Sequence, residues 1–461
     1  MNPITIPNIS IPTIGIPTIG IPSVGFPSAS GGGGLSWPAG MKEHIKAWYD
    51  PKKQGMTNYD VIEAYVEDFT DWYKEINNGT VTATNKSFHF TEVKKIGSTN
   101  AIVRLVSHRI NGEIKLNIKG VTEDNPISFT EYSTPVLTVN KDGVYTLVIN
   151  DATVGIYFTK VGVVDVTVTQ LPTSILKDFS GNGNHAYLYG GKGKLNSGMG
   201  LYKVDFTSWR KSPVQTEVKP DVVKVTPNTS DYLFIQYANS VEIPSYKIKV
   251  IGLGDNVLKY QYATENGRKE INIVEGENEL PTSIKVSNDY QIGYRLTPGT
   301  SVFTITQIPD YPDQLCYDGK MYAVAYDMPI LTDYTVMTER TWFENRNVFL
   351  AKGNITTEAK YAFIFERFKP DGVMAVQSFG SWNDVASTTD SCISYLTKNK
   401  YNGIDIRSGI GADDDMLSIG GALNKGNIEL TSVCCHGAII VADRSFTEEE
   451  INWLKQNWDK I

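Results

Sequence analysis

Asp68-Phe-Thr-Asp-Trp72 and Val166-Thr-Val-Thr-Gln-Leu-Pro172 return in the same chain as Asp205-Phe-Thr-Ser-Trp209 and Phe303-Thr-Ile-Thr-Gln-Ile-Pro309, each displaced by 137 positions (68 to 205, 166 to 303). Between them, Ile114-Lys-Leu-Asn-Ile-Lys-Gly120 matches Tyr246-Lys-Ile-Lys-Val-Ile-Gly252 at a displacement of 132, the difference being absorbed in loops. Such a repeat implies two copies of one folding unit, residues 68–172 and 205–309. Alternating β-branched or aromatic residues, as in Thr80-Val-Thr-Ala-Thr84, Ser87-Phe-His-Phe-Thr91 and Ser301-Val-Phe-Thr-Ile-Thr306, predict half-buried strands. Asn78-Gly79, Asn111-Gly112, Asp142-Gly143, Asn266-Gly267, Asp371-Gly372 and Asn402-Gly403 are of the type that supplies positive φ to tight hairpins. The expected class is all-β, with each repeated unit a β-sandwich.

Outside the repeat, residues 41–67, 173–204 and 310–461 suffice for one more sandwich that carries the two units as insertions. The chain closes on a predicted helix over Thr447–Ile461. Thr447 and Glu450 form a capping box, Phe446 and Ile451 a hydrophobic staple, and Ile451, Leu454, Trp458 and Ile461 share one face. Val61, Tyr65 and Phe69 recur every fourth residue and predict a second helix over 57–69.

The beginning of the chain is of a different kind. Ile6-Pro-Asn-Ile-Ser10, Ile11-Pro-Thr-Ile-Gly15, Ile16-Pro-Thr-Ile-Gly20 and Ile21-Pro-Ser-Val-Gly25 are consecutive pentapeptides, followed by Phe26-Pro27-Ser28. Each proline fixes φ and removes a donor, so an extended path is expected and a helix is excluded. Ile6, Ile9, Ile11, Ile14, Ile16, Ile19, Ile21, Val24 and Phe26 then stand out from a strand that cannot bury them against itself, so residues 1–30 need a partner surface. Gly31–Gly34 opens a flexible linker over 31–40.

The whole chain, 461 residues with net charge −8, 41% hydrophobic and 20% charged, has the balance of a globular protein and lacks the basic surface of a nucleic-acid binder. No run reaches the roughly 18 to 20 apolar residues of a membrane-spanning helix. The first residues, with no early Lys or Arg, do not read as a secretory signal. Cys316, Cys392, Cys434 and Cys435 lack disulfide-scaffold spacing, and synthesis in a reducing cytoplasm is expected.

The pieces left outside the repeat resemble the concanavalin A-like (laminin-G-like) lectin/glucanase superfamily. The matching stretches are Ala47-Trp-Tyr-Asp50, Leu176-Lys-Asp-Phe-Ser-Gly-Asn-Gly-Asn-His185, Leu331-Thr-Asp-Tyr-Thr-Val336 leading to Arg340-Thr-Trp342, Leu417-Ser-Ile-Gly-Gly421, and Asp443-Arg-Ser-Phe-Thr-Glu-Glu-Glu-Ile451. The resemblance implies a laminin-G-like jelly roll; the superfamily's Trp-His and Tyr-x-Asp-Gly hairpin has no counterpart here, so no particular sugar site is implied. Together with Ala362-Phe-Ile-Phe-Glu366, Ser378-Phe-Gly380, Ile393-Ser-Tyr395 and Lys400-Tyr-Asn-Gly403, these pieces look like virion fibre proteins of phages infecting gut Bacteroidales, including the crAss-like group. What that resemblance implies is a structural fibre subunit, a head fibre ahead of a tail fibre. It would be made in the host cytoplasm, anchored to capsid or tail proteins by residues 1–30, commonly trimeric, and displayed on the virion surface towards host polysaccharide.

The Glu-x-Asp-x-x-Glu strand of glucanases, which places two carboxylates on one face for retaining chemistry, is absent; Gly403-Ile-Asp-Ile-Arg407 is the nearest stretch and lacks both glutamates. Cys434-Cys435-His436 offers zinc ligands, but adjacent strand residues face opposite ways and no second cluster completes four. Asp413-Asp414-Asp415 is either a calcium loop, through Asp413 and Asp415, or a solvated acidic turn. Trp382, beside Asn383 in Gly380-Ser-Trp-Asn-Asp384, is either a sugar platform or an edge-packing residue. With five histidines and no nucleophile elbow, phosphate loop or zincin helix, the expectation is a protein that is not an enzyme and holds no cofactor, calcium excepted. The competing readings are a secreted bacterial glycan-binding protein and a capsule depolymerase working through carboxylates alone.

Overall fold

The computed structural model describes residues 36–58, 60–72, 75–76, 79–91, 101–104, 108–158, 165–191, 198–211, 216–227, 232–343, 347–355, 361–368, 373–386 and 392–461. The chain is almost entirely β, in antiparallel sheets, with one short helix at its C-terminus. The pentapeptide tail, Asn78 and Asp371-Gly372 lie outside the described residues.

The repeat is visible in the strand order. In the first copy one sheet runs Thr80–Ala83, Ser87–Thr91, Asp165–Gln170, Ile110–Lys119, Gly143–Ala152, and the facing sheet runs Glu75–Ile76, Ala101–Arg104, Val154–Phe158, Ile127–Glu131, Thr134–Val139. The second copy follows it strand for strand: Thr216–Val218, Val222–Val225, Phe303–Ile308, Tyr246–Ile251, Gly276–Leu280 against Arg210–Lys211, Tyr232–Tyr237, Gln291–Thr297, Val257–Thr264, Gly267–Ile273. Period-two alternation places Phe88, Phe90, Ile114, Leu116, Ile118, Val166 and Val168 between the sheets of the first copy.

The duplicated motifs have matching jobs. Asp68 Oδ1 accepts from the Thr70 amide at 2.9 Å and Asp205 Oδ1 from the Thr207 amide at 2.8 Å. The turn so fixed packs Phe69 and Trp72 on Phe88, and Phe206 and Trp209 on Phe234. Gln170 accepts from the Val66 and Glu67 amides and donates to Glu67 O; Gln307 accepts from the Lys203 and Val204 amides and donates to Val204 O. Each unit is thereby tied, where it ends, to the chain just ahead of its start, which is what insertion into another domain requires. Gly120 and Gly252, both at φ +85°, pass so close to Asp165 O and Val302 O that an added Cβ would lie 1.9 and 2.8 Å away.

The remaining strands build a larger sandwich. Eight strands make one sheet, ordered Gly198–Met199, Leu315–Asp318, Val433–Ala442, Thr335–Trp342, Cys392–Thr397, Lys400–Tyr401, Ile404–Asp405, with Ile45–Tyr49 also on Val433–Ala442. Ten make the other, whose main path is Ile175–Leu176, Ala186–Tyr189, Tyr322–Ala325, Leu417–Ile419, Asn347–Ile355, Tyr361–Phe368, Met374–Ser378, Ser381–Val385; the hairpin Ala422–Asn424/Asn427–Glu429 joins at Asn347–Ile355. Asp178, in the Leu176–His185 stretch, is buried and accepts from the Trp48, Ser180 and Asn184 amides, while Asn182 and Asn184 donate to Ile45 O and Lys46 O. That loop holds the first strand in place. The helix Glu448–Asn457 starts on the expected capping box and lays Ile451, Leu454 and Trp458 over Met337 and Ile440 on the outer face of the eight-stranded sheet.

Between the two sheets lies a fully buried ion pair. Glu366 accepts from Arg340 Nε at 2.5 Å and Nη2 at 2.6 Å, from Trp342 Nε1 at 2.9 Å and from the Tyr401 hydroxyl at 2.6 Å. Neither charged side chain is exposed. Glu366 sits at a bulge with φ +61°, a strained conformation that four converging donors can hold.

Two expectations are corrected. Among the described residues of 57–69 there is no helix; a four-residue helix, Pro51–Gln54, precedes this stretch, whose described residues are irregular. Val61 enters the core of the large sandwich and Phe69 the core of the first small one, so residues spaced like one helix face serve two separate cores. Asn111-Gly112 is no turn but a bulge within Ile110–Lys119, and Asp142-Gly143 leads across from one sheet to the other. Asn402-Gly403 does form a two-residue hairpin, with φ of 49° and 86°.

Replacing Glu366 by Leu strands the Arg340 guanidinium in an apolar core, and should lower stability by about 3–5 kcal/mol. In the double variant Arg340→Met/Glu366→Leu most of that loss should return. Urea unfolding of the three proteins checks this; a double variant as unstable as the single one contradicts it.

Candidate functional site

Along Ala186–Tyr189 and Tyr322–Ala325, Ala186, Leu188, Ala323 and Ala325 point into the large core, which leaves Tyr187, Tyr189, Tyr322 and Val324 on the opposite face. Tyr189 and Tyr322 are directly opposed across the strands and stack at 5.0 Å and 12°; Tyr187 and Tyr326 meet at 6.0 Å. The Tyr189 and Tyr326 hydroxyls share a hydrogen bond of 2.9 Å. Burial pushes Tyr187 and Tyr322 up to about 12, and Tyr189 and Tyr326 also upward, so all four remain neutral hydroxyls.

This tyrosine face is only partly covered, with Tyr187, Tyr322 and Tyr326 half-buried. The first small sandwich stands over it with the outer face of its strands Ser87–Thr91, Ile110–Lys119 and Asp165–Gln170, contributing Lys86, Asn117, Lys119, Thr167 and Thr169. The gap is a cleft of about 230 Å3, closed at one end by Leu423, Gly426 and Ile428. A second hollow of about 240 Å3 adjoins it, shares Asn117, Lys119 and Tyr326, and is lined further by Asp142, Val144, Asp327, Asp415 and Met416. At the far side Glu63 accepts from Tyr65, from the Gly190 amide and from Lys86 at 3.3 Å. Desolvation would raise the Glu63 carboxyl, but these donors prevail and hold it below the ordinary range. Aromatic faces for apolar ring surfaces, flanked by amide, hydroxyl and ammonium groups, form a site suited to a polyhydroxylated ligand.

The residues singled out from sequence lie elsewhere. Ile6 to Phe26 are outside the described residues. Trp382 is not in a loop: it lies on the edge strand Ser381–Val385, half-buried against the outer face of the ten-stranded sheet, with the Arg367 guanidinium 5.5 Å over its ring. Asn383 points the other way, donating to Arg407 O and accepting from the Arg407 amide, so its amide bonds the neighbouring segment. The pair therefore does not form one surface.

Asp413 is neither a calcium ligand nor part of a solvated turn. Its Oδ2 accepts from Lys352 Nζ at 2.9 Å and from the Leu331 amide at 2.7 Å, in a buried ion pair. Asp415 stands apart from it in the second hollow, where desolvation and Asp414 push it up to about 6. Among the described residues no three His, Cys, Asp or Glu side chains are grouped to hold a metal ion. In Cys434-Cys435-His436, Cys434 enters the sandwich core and Cys435 Sγ donates to Gln314. His436 is fully buried; its Nδ1–H donates to Gly437 O and its Nε2 accepts from Tyr317, and burial depresses it to about 4.

The sequence did carry a signal for the cleft. Ala186-Tyr-Leu-Tyr189 and Tyr322-Ala-Val-Ala-Tyr326 are apolar or aromatic on both faces, the pattern of a sheet covered on both sides. What no local pattern supplies is the cover, whose residues come from a separate folding unit earlier in the chain, between Lys86 and Thr169.

No known protein family and no curated protein matches the chain. Among solved structures, Trypanosoma rangeli sialidase in complex with sialic acid matches over 84% of this chain and 84% of that one, at 10% identity and TM-score 0.24. The same enzyme in complex with 2,3-difluoro-KDN covers 84% of each, at 8% identity and TM-score 0.25. These neighbours are enzymes, and the expectation that this chain is not one is withdrawn on that account. At such TM-scores the likeness assigns neither a fold nor a reaction to it.

His436 sets a pH dependence. Its folded-state value lies below the ordinary 6.5, so the unfolded chain takes up the proton first: the stabilisation is complete above pH 6.5 and is lost as pH falls towards 4. Between about pH 7.5 and about pH 5 the protein should lose about 2 kcal/mol through this group. Urea unfolding should show that loss to be absent in His436→Gln; an equal loss in both proteins contradicts it.

Proposed function

We propose that this chain is a carbohydrate-binding subunit of a phage virion fibre, with the tyrosine-walled cleft as its glycan site and residues 1–30 as its anchor in capsid or tail proteins. The observation that carries the binding reading is the cleft itself: three neutral tyrosines, Tyr189, Tyr322 and Tyr326, face Lys86, Asn117, Lys119, Thr167 and Thr169 across a gap about one to two sugar rings in size. A pyranose presents an apolar face to aromatic rings and hydroxyls at its rim, and this wall offers partners for both.

The anchoring part rests on the four Ile-Pro pentapeptides, an uncharged apolar strip that calls for a partner surface, and on the resemblance of the large sandwich to fibre proteins, head fibres ahead of tail fibres. Display of several copies on one particle, a trimer by that resemblance, multiplies a modest single-site affinity against a repetitive host-surface polysaccharide.

Binding of the full-length protein to an array of bacterial capsular and cell-wall glycans tests the reading. A ligand should be found, and Tyr322→Ala/Tyr326→Ala should weaken it roughly tenfold or more, since each ring contributes about 0.5–1.5 kcal/mol beyond its area. Trp382→Ala should leave it unchanged. Phage carrying a deletion of residues 2–30 should assemble particles lacking this protein. Binding that survives the tyrosine double variant contradicts the site, and normal incorporation of the deleted chain contradicts the anchor.

A further inference from the structure

Charge is divided unevenly along the cleft. The half walled by Tyr189, Tyr322 and Tyr326 has only Lys86 and Lys119 as charged lining residues, and Lys86 is matched by Glu63 at 3.3 Å. Lys119 has no carboxylate partner among the described residues. It is exposed at the end of Ile110–Lys119, and its ammonium lies against Gly426, where an added Cβ would stand 3.1 Å from Nζ. Gly426, at φ +79°, follows Lys425 at +51° in the turn of the hairpin Ala422–Asn424/Asn427–Glu429, so that hairpin leaves room for the ammonium at the junction of the two hollows. The second half is the opposite: beyond Lys119 its charged lining is Asp142, Asp327 and Asp415.

An unpaired ammonium at a half-enclosed junction favours a carboxylate or sulfate there, because a charge-assisted hydrogen bond is stronger away from bulk water. Three aspartates in the adjoining hollow disfavour a second anion on the next ring. Resting on the reading of the cleft as a glycan site, we propose that it selects an acidic polysaccharide in which a charged ring is followed by an uncharged one. The acidic group sits on Lys119 and the neutral ring lies in the aspartate-lined hollow. Lys119 is then the specificity-determining residue, and the tyrosines bind without regard to charge.

Three sets of hexasaccharides separate the possibilities. One set alternates acidic and neutral rings (hyaluronan, chondroitin and heparosan); the second is the same set with its carboxyl groups reduced to alcohols; the third is oligogalacturonate, charged on every ring. Full-length protein should bind at least one member of the first set at least about tenfold more tightly than its reduced form and than oligogalacturonate. Lys119→Gln should bring the first set down to the reduced set while leaving the melting temperature unchanged, and Tyr322→Ala/Tyr326→Ala should weaken the first two sets alike. If acidic and reduced forms bind equally, or Lys119→Gln changes nothing while the tyrosine variant still weakens binding, the charge selection is overturned and the glycan site stands. If oligogalacturonate binds as tightly as the alternating set, the role of the aspartates is overturned. If none binds, and the capsular array is also blank, both readings fall together.

Discussion

The Arg340–Glu366 pair, closed off from water between the two sheets of the large sandwich, is the contact on which the other surfaces depend. Arg340 and Trp342 come from one strand and Tyr401 from another of the eight-stranded sheet, and Glu366 comes from the ten-stranded sheet, so the network fixes how the sheets sit on each other. A hydrophobic core alone fills space without choosing one register. A buried carboxylate that must meet four donors, at a bulge where its own φ is +61°, accepts very few arrangements. With the sheets so fixed, the core residues Ala186, Leu188, Ala323 and Ala325 turn inward and the tyrosines between them have only the outer face left.

The cleft then follows from how the small sandwich is attached. Gln170 binds the backbone on which the unit enters, at Val66 and Glu67, and Leu171 packs beside Tyr189, Val324 and Leu423 against the tyrosine sheet. Its strand face is therefore held over the tyrosines at a separation that leaves room for a ligand rather than closing onto them. In the second copy Gln307 ties the chain in the same way, but the positions equivalent to Asn117 and Lys119 are Lys249 and Ile251, both solvent-exposed. One duplicated unit thus serves as a wall of a site while its twin presents the same face to water.

The all-β class, the matching strand patterns of the repeat and the C-terminal helix were legible because each is a local signal. Alternation and the pairing of Thr447 with Glu450 act within a few residues, and Asp-Phe-Thr-x-Trp is a short contiguous motif that can be matched to its copy 137 positions on. The helix expected over 57–69 was not, because spacing alone cannot tell one face of a helix from an irregular segment that drops Val61 into one core and Phe69 into another. Asp413 looked like a ligand because Lys352, its partner, lies sixty-one positions earlier in the chain. Trp382 drew attention as an isolated aromatic near glycines, whereas the tyrosines of the cleft alternate with core residues and looked like ordinary buried strand.

Hydrogen exchange of the full-length protein, followed by mass spectrometry with and without a bound oligosaccharide, tests the account most directly. Ligand should slow exchange together in 186–189 and 322–327 of the large sandwich and in 115–119 of the small one, the two walls of one cleft. Protection confined to the open hollow between Asn383 and Arg407, or to one wall alone, would contradict it.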